Sequence, residues 1–78
     1  MKCSMIYKLK NENQKEEISN KIKSIIENND GKIFNFLYNK NSKYNLVEFL
    51  GKSTTLAELH IYMCSIKEVE DFAMGRSE

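Results

Sequence analysis

The sequence predicts an α+β two-layer sandwich, with helices on one face of an antiparallel-dominated sheet. Three observations carry this expectation. An apolar–polar alternation opens the chain, a stripe of isoleucines at helical spacing follows, and two short apolar runs separated by an Asn- and Ser-rich turn come next. At 78 residues the chain reads as a single domain, residues 1–78, with a core that supplies only a few kcal/mol of net stability.

In Lys2 to Lys10, Cys3, Met5, Tyr7 and Leu9 fall on one side and Lys2, Ser4, Lys8 and Lys10 on the other. That is a half-buried strand, with Ile6 as the one apolar residue on its polar side. Asn11 to Asn29 reads as a helix. Asn13 is its expected N-cap, with Glu16 three residues on, and Glu16 and Glu17 suit the positive end of the helix dipole. Ile18, Ile22, Ile25 and Ile26 form a narrow apolar stripe. Gly31 is expected to end the helix by supplying a backbone conformation other residues resist.

Lys32 to Asn39 predicts a second strand, with Phe34, Phe36 and Tyr38 on one face and Ile33 and Leu37 on the other. After the turn Asn39-Lys40-Asn41-Ser42, Lys43 to Leu50 predicts a third. There Val47 and Phe49 oppose Tyr44, Leu46 and Leu50. Residues 52–75 admit two readings. As one helix, Thr55 and Glu58 form a capping box, and Leu56, Leu59, Met63, Ile66 and Ala73 share an arc that leaves Ile61 and Phe72 outside. As strand then helix, Ala57, Leu59, Ile61 and Met63 point inward, and Glu58, His60 and Tyr62 outward. Ser65 then caps a short helix burying Ile66, Val69, Phe72 and Ala73. The second reading misplaces fewer residues. The order is therefore β-α-β-β-β-α, or β-α-β-β-α with one long C-terminal helix.

Several chemistries lack their residues. Gly51-Lys52-Ser53 looks like the end of a phosphate-binding loop, but the glycine that loop needs five positions earlier is Leu46. Zinc needs four ligands in close pairs, whereas the chain has one histidine, His60, and two distant cysteines, Cys3 and Cys64. His60 and Cys64 are neighbours only if that segment is helical, and no third group orients them. The expectation is no enzyme, no metal and no cofactor. No signal peptide and no membrane span is visible. Two thiols in a Lys-rich chain suggest a reducing, cytoplasmic setting without disulfides.

The near-neutral total of +1 conceals an asymmetry. Residues 1–43 carry nine Lys against five acids, and residues 44–78 carry three basic residues against six acids. Only Arg76 is arginine, so the guanidinium forks favoured in phosphate recognition are nearly lacking. With helices on one face, the other face of the sheet is left open. Phe34, Phe36, Tyr38, Tyr44, Glu58, His60 and Tyr62 are the candidate partner-binding residues there. An apolar, aromatic open face suggests an interface, and an unpaired edge strand could pair with a second copy.

The order of elements and the run Ile25-Ile26-Glu27-Asn28-Asn29-Asp30-Gly31-Lys32-Ile33 resemble the sixth small-subunit ribosomal protein of bacteria. That resemblance implies a ferredoxin-like fold and, by analogy, binding to RNA and to a neighbouring protein. The family's signature after the second strand is replaced here by Leu46-Val47-Glu48-Phe49-Leu50, and its last strand is not expected. No functional residue carries over. Two functions follow as expectations. The first is a non-enzymatic protein-binding module. It would be a cytoplasmic regulator or inhibitor of the sort phages and mobile elements encode, an anti-CRISPR-like inhibitor of a defence nuclease being one concrete version. The second is a small RNA-binding module.

Overall fold

A computed structural model describes residues 1–77. The elements run β1 (Lys2–Leu9), α1 (Lys15–Asn28), β2 (Lys32–Tyr38), β3 (Tyr44–Leu50), α2 (Ser53–Ser65) and β4 (Val69–Arg76). The strands form one sheet in the order β2-β3-β1-β4, and every pair is antiparallel. The α+β sandwich is therefore as the patterning predicts. Two split β-α-β units interlock in it: β3 lies between β1 and β2, and β1 between β3 and β4. This is the ferredoxin-like arrangement.

The C-terminal third corrects both sequence readings. Residues 53–65 are helix rather than strand, and residues 69–76 are strand rather than helix. The last strand, expected to be missing, is present as β4. In α2, Thr55, Leu59 and Met63 are buried at intervals of four, and Ile61, which lent the strand reading its alternation, is 68% exposed. In β4 the source of the error is a bulge. Leu9 pairs with Val69 and Lys8 with Asp71, leaving Glu70 as an extra residue. The inward residues Val69 and Phe72 are thus three apart, which is a helical spacing in sequence.

A second bulge re-aims β2. Ile33 pairs with Phe49 and Asn35 with Glu48, so Phe34 is the extra residue. Ile33 and Phe36 then pack against the core on the helix side. Phe34, expected to share a face with Phe36 and Tyr38, lies on the opposite side, beneath the Lys2 ammonium, 5.9 Å from its ring centre. A one-residue slip moves every later side chain to the other face.

The core sits between the sheet and the two helices. Cys3, Met5 and Tyr7 of β1, and Val47 and Phe49 of β3, are fully buried against Ile18, Ile22 and Ile26 of α1 and Leu59 and Met63 of α2. The start of α1 departs from expectation. The helix begins at Lys15 with Gln14 at the N-cap position and no side-chain cap, while the Asn11 side chain instead accepts from the Asn13 N–H at 3.1 Å. In α2, Thr55 caps from inside the helix, accepting from the Lys52 N–H at 3.0 Å.

The end of α1 assigns the special residues differently from the sequence reading. The Gly31 N–H reaches back to the Ile26 carbonyl at 2.8 Å, and the Asp30 N–H to Glu27 at 3.0 Å. These are the two bonds of a Schellman motif. Asp30, not Gly31, holds the left-handed conformation, at φ 60°. Gly31 is needed for closeness: a Cβ there would lie 2.5 Å from the Leu50 carbonyl oxygen and 2.8 Å from Ile26. Asp30→Gly should therefore raise stability by a few tenths of a kcal/mol, since its ion pair with Lys52 is exposed. Gly31→Ala should lower it by about 1–3 kcal/mol. Urea unfolding of both variants checks the contrast.

Tyr7 is fully buried, with its hydroxyl 3.3 Å from Ser19 Oγ. Burial pushes its phenol above the ordinary value of 10.0, and the Ser19 contact offsets part of this. Below that value both folded and unfolded chains hold the proton, so Tyr7 contributes no pH dependence. Above it the unfolded chain ionises first, and stability falls as pH rises, by at most about 1.4 kcal/mol per pH unit. Tyr7→Phe should lose about 1 kcal/mol at neutral pH and decline less steeply above pH 10. Urea midpoints measured across the alkaline range check this.

Candidate functional site: the open face of the sheet

Both helices lie on one face, so strand alternation decides what the other face carries. It consists of Lys2, Ser4, Ile6 and Lys8 from β1 and Tyr44, Leu46, Glu48 and Leu50 from β3. The edge strands add Lys32, Phe34, Asn35 and Leu37 from β2 and Asp71, Ala73 and Gly75 from β4. One cross-strand row is apolar from edge to edge. Leu37 pairs with Leu46, Leu46 with Ile6, and Ile6 with Ala73. Ile6, Leu37, Leu50 and Phe34 are 42%, 53%, 42% and 48% exposed. Covering the remainder of one such side chain is worth on the order of 1 kcal/mol.

The rows flanking this stripe are polar and internally paired. On one side Asn35 Nδ2 donates to Glu48 Oε1 at 2.8 Å. On the other, Lys8 lies 3.4 Å from Glu70, and the Tyr44 hydroxyl donates to Asp71 at 2.8 Å. That hydrogen bond holds the Tyr44 phenol above its ordinary range. Two shallow hollows flank Ile6. One of about 420 Å³ is lined by Ile6, Leu37, Tyr44 and Leu46 together with the β2–β3 turn. The other, of about 340 Å³, lies over Ser4, Ala73 and Gly75.

The seven residues singled out from sequence do not form one cluster. Phe34 and Tyr44 are on the open face, near opposite ends of the strands. Phe36 and Tyr38 are on the helix side, where Lys23 lies 5.4 Å from the Phe36 ring and Lys15 lies 3.2 Å from the Tyr38 ring. The Tyr38 hydroxyl donates to the Glu12 carboxylate, which raises its phenol pKa. Glu58, His60 and Tyr62 belong to α2 and not to the sheet. On a helix Glu58 and Tyr62 share one side and His60 points away from them, so the single strand face expected of all three does not exist. Tyr62 is half-buried against the core, and burial is the main cause raising its phenol. Ile6, Leu37, Leu46 and Ala73, which make the stripe, are not among those seven. Their signal was Ile6, the apolar residue on the wrong side of an otherwise alternating strand.

The helical spacing does bring His60 and Cys64 together, with Nε2 and Sγ 3.6 Å apart on the exposed side of α2. His60 also meets Phe72 edge-on, at 5.5 Å between ring centres. The pair sits on a convex helix surface rather than in a cleft. Among the described residues no group of three or more His, Cys, Asp or Glu could hold a metal ion. No helix there is long and apolar enough to cross a membrane.

A scan of known protein families finds no match to this sequence, and no curated protein matches it either.

Cys64 is exposed and Cys3 is buried. One thiol per chain should react with a disulfide reagent under native conditions, and the second only on unfolding. A chromogenic thiol titration with and without denaturant reads this directly.

Proposed function

We propose that this chain is a small non-catalytic protein-binding module, a regulator or inhibitor, that works through the open face of its sheet. The observation that carries the reading is the continuous row Leu37, Leu46, Ile6 and Ala73, bordered by polar rows. An apolar centre with a polar rim is the anatomy of a protein interface. The neighbouring charges support this further. Glu48, Glu70 and Asp71 are already paired within the chain, so a protein covering the stripe need not supply partners for them.

The composition of the face favours protein over RNA as the partner. Single-stranded RNA is held by bases stacked on aromatic rings beside unpaired cations. At their middle positions the two central strands present Ser4, Ile6, Leu46 and Glu48, none of them aromatic. Tyr44 and Phe34 stand at opposite ends.

Immobilised wild-type chain should retain a protein in stoichiometric amount from a bacterial lysate, or an untagged copy of itself. Leu46→Asp should retain neither. Leu46 is half-exposed, so circular dichroism should show the variant folded. Recovery of RNA alone, lost steeply with salt, would refute the reading in favour of the RNA-binding alternative.

A further inference from the structure

We infer that the partner covering the open face is a second copy of this chain, packed face to face about a two-fold axis parallel to the strands. This rests on the protein-binding reading and names the occupant of that same surface. Three features of the face make it complementary to itself under that one operation.

The first is shape. A two-fold axis parallel to the strands sets β2 of one copy over β4 of the other, and β3 over β1. Leu37 then faces Ala73 of the partner copy, and Leu46 faces its Ile6. The row runs from large at β2 to small at β4, so each wide end meets a narrow one. The hollow of about 340 Å³ over Ser4, Ala73 and Gly75 is where Leu37 of the other copy would seat.

The second is charge. Residues 32–43, comprising β2 and its turn, carry Lys32, Lys40 and Lys43 and no acid. Residues 68–75 carry Glu68, Glu70 and Asp71 and no base. The β2–β3 turn and the start of β4 lie at the same end of the sheet. The same two-fold axis therefore lays Lys40 and Lys43 of each copy over Glu70 and Asp71 of the other, at both edges, while Lys32, at the far end of β2, falls over the end of β4 that carries Gly75. An axis across the strands would instead stack turn lysines on Lys32 of the partner copy. It would also leave the small residues of β4 facing each other across a gap.

The third is area. Four strands about 4.8 Å apart and seven residues long cover about 440 Å² per copy, or about 900 Å² in flat outline for two. Side-chain relief adds to this, which places it at the weak, reversible end of specific interfaces. Edge pairing is the less favourable route, because each edge strand carries a bulge, at Phe34 and at Glu70, and bulged edges resist strand addition.

Sedimentation equilibrium over a concentration series tests this. The wild type should dimerise, and Leu46→Asp should weaken dimerisation by about thirtyfold or more. A charge-swap set tests the axis without touching the apolar row. Lys40→Glu with Lys43→Glu should weaken self-association by about threefold to tenfold. Glu70→Lys with Asp71→Lys should do the same, with circular dichroism confirming that the fold survives loss of the Lys8 and Tyr44 contacts. An equimolar mixture of the two double variants should restore dimerisation, because both edges then pair opposite charges. A wild type that stays monomeric at several hundred micromolar overturns the inference. So does a dimer insensitive to Leu46→Asp, or a mixture that fails to recover. A monomer that still retains a different protein in a Leu46-dependent way would overturn only the second copy, leaving the protein-binding reading in place.

Discussion

The burial of β1 between two antiparallel neighbours is the constraint on which the rest of the molecule depends. β1 pairs with β3 on one side and β4 on the other, so its main chain is satisfied within the sheet. Its inward side chains Cys3, Met5 and Tyr7 have no exposed surface to speak of. Both helices send buried side chains into the core that these residues share. Because chain alternation is strict in its middle, fixing Met5 and Tyr7 under the helices fixes Ser4 and Ile6 on the open side. The candidate interface is thus the reverse of the core, produced by the same pleat.

The two bulges adjust this plan at the edges. Each inserts one residue into an edge strand while leaving the central pair in register. In β2 the bulge lets Ile33 and Phe36 both reach the core while turning Phe34 outward. In β4 it holds Val69 and Phe72 inward and places Glu70 beside Lys8. Together they make the edges poor templates for further pairing. Basic residues follow β2 and acidic ones open β4, so part of the asymmetry between the two halves of the chain lies at opposite edges of one end of the sheet.

The chemistry of the open face is what supports the proposed recognition role. Its carboxylates are engaged by Asn35, Lys8 and Tyr44, and its centre is aliphatic. The Cys64–His60 contact is a consequence of helical spacing on a convex surface. The tyrosines with raised pKa values owe this to burial or to a carboxylate neighbour, which are structural causes.

Local pattern alone determined β1, α1 and β3, because each pairs its apolar residues at a single uninterrupted period. Cys3-Met5-Tyr7-Leu9 and the isoleucine stripe of α1 are buried as their spacing requires. The two-layer class and the open face follow from those elements. Only the tertiary structure decided the facing of Phe34 and Phe36 and the identities of α2 and β4. A bulge shifts a strand's period from two to three at one point, which sequence cannot distinguish from a helical turn. Pairing with the neighbouring strand selects it, and that partner is distant in the chain. The end of α1 follows the same logic. Its Asp-Gly pair is a legible stop signal, but the crowding of Gly31 by Leu50, nineteen positions away, exists only once β3 is in place.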